Sequence, residues 1–235
     1  MSNNSIITPG LFATAYGPNL FDPDHDPYWN KVATLMHFDG AQGNSSFVDV
    51  KGRPITNYGV ITDLGNPAIA PSTAYFGGAA QAMIISQVDD NQTGDFTIEW
   101  FGKWETIGNC TLFDTRPQST NGPYMDFFYS SGGVGIWFNN ATAVYAAFVP
   151  AQNRTYHLAL SRKGGIIRFF IDGAIYFTWN YAGVVAIPRF FLGGNGYNQA
   201  QDWYKGRMSE FRYTKGVGRY ENSFIPVYAR FPASL

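Results

Sequence analysis

Apolar and polar residues alternate along this chain in short runs broken by glycine and proline, and no segment sustains a 3.6-residue period. The stretch "GDFTIEWFGKW" sets Phe96, Ile98 and Trp100 against Thr97, Glu99 and Phe101, the period-two signature of a half-buried strand. "RTYHLALSRKGGIIRFFIDGAIYFTWN" reads as a three-stranded meander, because Gly164-Gly165 and Asp172-Gly173 suit two-residue type I′ turns that need positive φ. "GRMSEFRYT" places Met208, Glu210 and Arg212 on one face and Ser209, Phe211 and Tyr213 on the other. "TKGVGRYENSF" predicts one helical turn. Residues 124–149 read apolar in both registers, with Phe127 and Tyr129 on one face and Phe128 on the other, so the pattern leaves their inward face open. About a dozen short strands in all predict a two-sheet sandwich rather than a parallel sheet.

Residues 1–30 break this pattern. "TPGLFATAYGPNLFDPDHDPYWN" holds four prolines and no sustained period, which predicts an extended arm. Its apolar side chains are too many for a free linker, so the arm lies on the body of its own chain or docks on a neighbour. The docking candidates are Phe12, Tyr16, Phe21, Tyr28 and Trp29. The expected division is an arm over 1–30 and a β-sandwich over 31–235.

Composition agrees with a β protein. Of 235 residues, 45% are hydrophobic, and Phe 20, Tyr 15 and Gly 26 supply sheet and turn residues. A formal net charge of -1 argues against a nucleic-acid partner, which needs a basic excess to displace counterions. Cys110 is the sole cysteine, so no internal disulfide forms, and its expected role is a small buried side chain. No basic-plus-apolar leader opens the chain, and no run approaches the roughly 18 apolar residues of a membrane span. The expectation is synthesis in a reducing cytoplasm, with no membrane partner.

Catalysis finds little support. A retaining glycosidase needs two carboxyls about 5 Å apart, delivered along one strand at i and i+2 or i+4. Glu105, Glu210 and Glu221 have no acidic residue at that spacing, Glu99 has only Asp95 in the turn before its strand, and Asp24 and Asp26 have it only within the arm. His25, His37 and His157 belong to no Ser-His-Asp pattern, and one cysteine excludes Cys-rich zinc spacing. No catalytic residue and no metal is assigned. Two polar, aromatic loops are the candidate surface sites. The loop "GGNGYNQAQDWY" offers Asn195, Tyr197, Asn198, Asp202 and Trp203, stacking rings beside hydroxyl-binding amides and carboxylates. The alternative for Trp203 is simple packing under the loop. "DTRPQSTNGPY" is a second candidate, with Arg116, Gln118 and Asn121.

Five segments carry a family resemblance, in order and over roughly residues 26–232: "DPYWNKVATLMHFDG", "AYFGGAAQAMIIS", "TGDFTIEWFGKW", "RTYHLALSRKGGIIRFFIDGAIY" and "YKGRMSEFRYTKGVGRY". Together they resemble the laminin-G-like, concanavalin A-like modules of tailed-bacteriophage structural proteins. The resemblance implies an all-β, concanavalin A-like jelly-roll sandwich of two antiparallel sheets. It also implies a non-enzymatic virion protein, synthesised in the host cytoplasm: a capsid decoration or small tail-attached protein docked on other virion proteins through its arm. The alternative is a tail-associated adhesin that binds host-surface glycans, and a weaker one is a glycan hydrolase. A homo-oligomer is compatible with either setting. Calcium is the metal that such modules hold. Asp39 and Glu210 fit that expectation, Ser209 departs from it by lacking an acid, and Asp89, Asp90, Asn91 and Asp95 form a second acidic turn.

Overall fold

A computed structural model of the chain describes residues 25–88, 94–138 and 142–235. Fifteen strands follow one another among the described residues. The first six are β1 (Val32–Met36), β2 (Ile55–Tyr58), β3 (Ile61–Asp63), β4 (Thr73–Gly77), β5 (Ala82–Ser86) and β6 (Phe96–Trp104). Next come β7 (Cys110–Asp114), β8 (Met125–Ser130), β9 (Gly133–Phe138), β10 (Thr142–Ala147) and β11 (Thr155–Lys163). The last are β12 (Ile166–Ile171), β13 (Ala174–Asn180), β14 (Arg189–Leu192) and β15 (Lys205–Lys215). They form an eight-stranded sheet ordered β13-β12-β11-β6-β15-β4-β3, with β1 also on β15, and a seven-stranded sheet ordered β10-β9-β8-β7-β14-β5-β2. All strand pairs within the two sheets are antiparallel.

The meander forms as its turns require. Gly164 and Gly165 take φ of 57° and 77°, and Asp172 and Gly173 take 49° and 76°. Positive φ at both central residues matches the twist of the flanking strands. Between the sheets lies one aromatic-rich core. Trp100 meets Phe113 and Phe127 edge-on at 5.4 and 5.2 Å, and Trp104 does the same with Tyr204 at 5.9 Å. The register of residues 124–138 is decided here: Met125, Phe127 and Tyr129 join the core, while Asp126, Phe128 and Ser130 point outward.

Three sequence expectations need correction. First, β15 does not alternate through its length. Its pairing with β6 shifts register between Ser209 and Arg212, and Glu210 takes φ 54°. This bulge adds a residue and reverses the phase. Met208, Phe211 and Tyr213 therefore all enter the core, while Ser209, Glu210 and Arg212 bond on the other side. The bulge falls where the neighbour of β15 changes from β4 (Lys205 to Met208) to β1 (Phe211 to Thr214). Second, β6 is buried on both faces rather than one. Third, the helical turn expected in "TKGVGRYENSF" does not form. Among the described residues the one helical piece is a 3-10 turn at Trp29–Lys31.

The last two corrections share a cause. Residues 216–235 run back as an irregular strap across the outer face of the eight-stranded sheet. Tyr220 and Phe224 stack at 3.9 Å, the Phe224 amide donates to the Gly173 carbonyl at 3.0 Å, and Phe231 sits on Phe101 at 5.5 Å. Under the strap lies a buried ion network. Glu99 Oε1 receives Arg212 Nη2 at 2.8 Å, and the Tyr220 hydroxyl donates to Glu99 Oε2 at 2.7 Å. Asp26 Oδ2 receives Arg212 Nη1 at 2.9 Å and Arg219 Nη2 at 2.7 Å. Burial would raise the Glu99 carboxyl, but Arg212, His157 and Arg219 together hold it well below the usual carboxylate range. Segment 25–31 is thus tied to the sandwich, with the Asp26 amide also donating to the Ser234 carbonyl at 2.8 Å.

Candidate functional site

The outer face of the seven-stranded sheet is covered at Ile84 and Phe191 by Trp203 and opens into a cavity beside β8 and β9. On it, the loop after β7 meets the loop after β14, so the two sugar-binding candidates of the sequence become one site. The Ser119 amide donates to the Tyr197 carbonyl at 2.9 Å, and the Gly196 amide donates to Asp114 Oδ2 at 2.8 Å. Arg189 braces the junction from beneath, donating from Nε to the Arg116 carbonyl and from Nη2 to the Gly196 carbonyl, both at 2.9 Å.

Asp114 and Asp126 are cross-strand partners on β7 and β8. Arg116 lies between them, forked onto Asp114 at 2.6–3.0 Å and reaching Asp126 Oδ2 at 2.7 Å. Its guanidinium carbon stands 4.6 Å from the centre of the Trp137 ring and 5.7 Å from that of Tyr197, within cation–π range. Burial and the Asp114 charge push the Asp126 carboxyl well above its usual range, against the pull of Arg116. Its Oδ1 is buried without a hydrogen-bond partner. Arg116 and Asp126 border a cavity of about 270 Å³, lined also by Trp137, Phe128, Asp202, Asn109 and Ser130. That volume is near the low end of ligand pockets, roughly 300–1,000 Å³.

A ring platform extends the cavity. Phe128 and Tyr145 lie 5.9 Å apart over β9, whose outward positions below them are Gly133 and Gly135. A Cβ on Gly135 would come within 2.6 Å of Phe128 and 3.0 Å of Tyr145, so only glycine lets these rings lie flat on the strand. Tyr145 remains 46% exposed.

Of the residues singled out in the loop after β14, Asp202 alone lines the cavity. Asn195 positions it, donating from Nδ2 to Asp202 Oδ2 at 3.2 Å, and accepts the Tyr197 and Asn198 amides on its own Oδ1. Asn198 is exposed and ties its side chain to the Ala200 amide. Trp203 is half-buried, packed 6.4 Å from Phe191 and closely over Gly194. In the second loop Arg116 belongs to the site, whereas Gln118 and Asn121 are exposed away from it. Trp137, Phe128 and Asp126 were missed. "GVGIWF" carried a readable signal for the first: Val134, Ile136 and Phe138 alternate with Gly133, Gly135 and Trp137, which sets the tryptophan outward.

The arm candidates fare unevenly. Tyr28 and Trp29 contact their own chain, with Arg219 5.1 Å over the Tyr28 ring and Lys51 4.0 Å over the Trp29 ring. Phe12, Tyr16 and Phe21 lie outside the described residues. So do Asp89, Asp90 and Asn91. Asp39 is engaged by Arg230 at 2.7 and 3.1 Å, and Glu210 by His37 at 2.7 Å and the Phe231 amide at 2.9 Å. No group of three or more His, Cys, Asp or Glu among the described residues is placed to hold a metal ion. Burial pushes the Cys110 thiol up to about 12, as expected of a packing residue. No helix among the described residues is long and apolar enough to cross a membrane.

Comparison with known proteins agrees with this architecture. Residues 76–217 match the Laminin_G_3 family model, described as the concanavalin A-like lectin/glucanases superfamily. The chain belongs to that superfamily. No sequence among curated proteins matches it. Similar solved structures include the binding domain of Paraclostridial Mosquitocidal Protein 1, at TM-score 0.62 and 9% identity, covering 80% of this chain and 49% of that one. The botulinum neurotoxin serotype D binding domain matches at TM-score 0.59 and 10% identity, covering 80% and 48%. This chain therefore spans about half the length of those toxin domains. Domain 4 of AbnA, an extracellular arabinanase from Geobacillus stearothermophilus solved with arabinotriose, matches at TM-score 0.57 and 17% identity, covering 79% and 93%. At these identities the likeness is one of fold.

Proposed function

We propose that this chain is a non-enzymatic glycan-binding module whose ligand sits on the outer face of the seven-stranded sheet. One observation carries the reading: the half-buried ring of Trp137 and the carboxyl groups of Asp126 and Asp202 border one open cavity. A sugar stacks its apolar face on an aromatic ring and donates its hydroxyls to carboxylates, so this pairing of groups suits it. The structural likeness to an arabinanase domain solved with arabinotriose and to toxin binding domains supports the same reading. Hydrolysis is disfavoured by geometry. Glu99 and Glu210 are buried under the strap, and Arg116 fills the space between Asp114 and Asp126, where a scissile bond would have to lie. The test is titration of Trp137→Ala against an immobilised glycan panel. Loss of retention with an unchanged melting temperature supports the reading, and unchanged retention of a bound glycan removes this cavity from it.

The resemblance to phage structural modules supplies the setting. In it the chain is a virion protein, a capsid decoration or small tail-attached protein, fixed to its particle through the residues before 25. One observation favours this arrangement. The described chain begins beside Ser234, on the eight-stranded side, while the cavity opens on the seven-stranded side. Attachment and recognition would then use opposite faces, as an adhesin for host-surface glycans requires. Immunogold labelling of source particles tests the setting. Gold on the tail supports the adhesin, gold on the head supports a decoration protein, and unlabelled particles overturn both.

A further inference from the structure

Resting on the glycan-binding reading, we infer that the cavity selects neutral saccharides and rejects those carrying a carboxylate or sulfate on the bound ring. The charges around it lead there. Asp126 and Asp202 line it, and Asp114 stands directly behind. Arg116 is the sole cation among the lining residues, and its Nε and Nη2 are already committed to Asp114 and Asp126. Arg189, next nearest, spends Nε and Nη2 on backbone carbonyls below the loop. Three carboxyl groups thus stand against one guanidinium, of which Nη1 alone is left to a ligand, so charged acceptors outnumber charged donors around the cavity. Asp126 is 7% exposed; its Oδ1 has no partner at full hydrogen-bond geometry, and the Thr111 side chain stands close enough to pull this carboxyl down.

A buried acceptor left unsatisfied costs free energy, and a ligand O–H that fills it recovers that cost. An anionic ligand would do the reverse, bringing a further negative charge beside Asp202 and Asp114 in a partly desolvated site, where like charges repel strongly. The field that already resists ionisation of Asp126 would act on such a ligand too. Trp137 and Phe128 add apolar ring surface that a neutral sugar ring stacks on and a hydrated anion does not gain from.

The experiment is an array of neutral hexose and pentose oligosaccharides, each printed beside its uronic-acid and sulfated counterparts. It is probed with the full chain and with Asp202→Asn and Asp126→Asn variants whose melting curves are checked first. The expected result is retention of neutral glycans and weakening of their acidic counterparts by about tenfold or more at low salt, with the gap narrowing as salt screens the field. Asp202→Asn narrows the gap without salt, by raising affinity for the acidic forms. Equal or preferential binding of acidic forms overturns the selectivity and leaves the glycan-binding reading standing. Absence of retention across neutral and acidic glycans alike overturns both.

Discussion

Asp26 and Arg219 stand 193 positions apart in sequence, yet the Asp26 carboxylate grips the Arg219 guanidinium through both oxygens, at 3.0 and 2.7 Å. The pair closes the chain on itself: the segment before β1 and the strap after β15 meet over the eight-stranded sheet. Both side chains are nearly inaccessible, 1% and 4% exposed. Removing one partner of such a buried pair strands the other charge, a loss of about 3–5 kcal/mol. Asp26→Asn is therefore expected to lower the urea midpoint sharply at unchanged m-value. The same relationship predicts that a chain beginning at residue 25 melts well above one beginning at residue 31. Equal melting of the two truncations would show that Asp26 contributes little.

Glu99 and Asp126 are expected to give stability opposite dependences on pH. Glu99 is held below its ordinary 4.5, so just below that pH the unfolded chain binds a proton that the folded protein does not. Its contribution is whole above about 4.5 and is lost as pH falls toward the folded value. Asp126 is raised above its ordinary 3.8, so between 3.8 and its folded value the folded protein holds the extra proton. Stability from that group falls as pH rises through this window. Chemical denaturation at a series of pH values should show the acid-side loss flattened in Glu99→Gln and the decline at higher pH flattened in Asp126→Asn.

The two tryptophans of the candidate site should separate by readout. Trp137→Ala is expected to lower glycan affinity about tenfold or more with little change in melting, since its ring borders the cavity. Trp203→Ala should instead cost about 2 kcal/mol of stability, roughly half the loss at a fully buried aromatic, because its ring packs on Phe191 and Gly194. Paired melting and binding curves check both.

Gly135→Ala tests the platform. The new Cβ would meet Phe128 at 2.6 Å, so the ring must lift. The expected outcome is a loss of about 1–3 kcal/mol from overpacking, together with weakened binding of glycans long enough to reach Tyr145. Short glycans held at Trp137 should be affected less.

Cys110 should behave as an inert thiol. With 3% exposure and a pKa pushed up to about 12, it holds almost no thiolate near neutral pH. Reaction with a disulfide reagent is expected to follow global unfolding, and fast labelling of the folded protein would contradict its packing role.

The sequence by itself determined the all-β class, the meander of β11 to β13 and its two tight turns, because these depend on neighbours two to four positions away. Glycine at positive φ and period-two alternation are local signals. It also marked both loops of the candidate site, through Arg116 and Asp202, without any sign that they touch. Only the tertiary structure decided the rest. The bulge at Glu210 reversed a phase that alternation alone would carry through, and it falls where the partner changes from β4 to β1. The strap that buries Glu99 is irregular, so no period announces it. The pairing of Asp114 with Asp126 runs across strands, where a search along one strand cannot find it. Trp137 was legible as outward-facing but became a binding candidate only when the folding of β7, β8 and the loop after β14 set Arg116, Asp126 and Asp202 around it. Long-range contacts bring distant residues together through closure of the sandwich, and spacing along the chain carries no record of that closure.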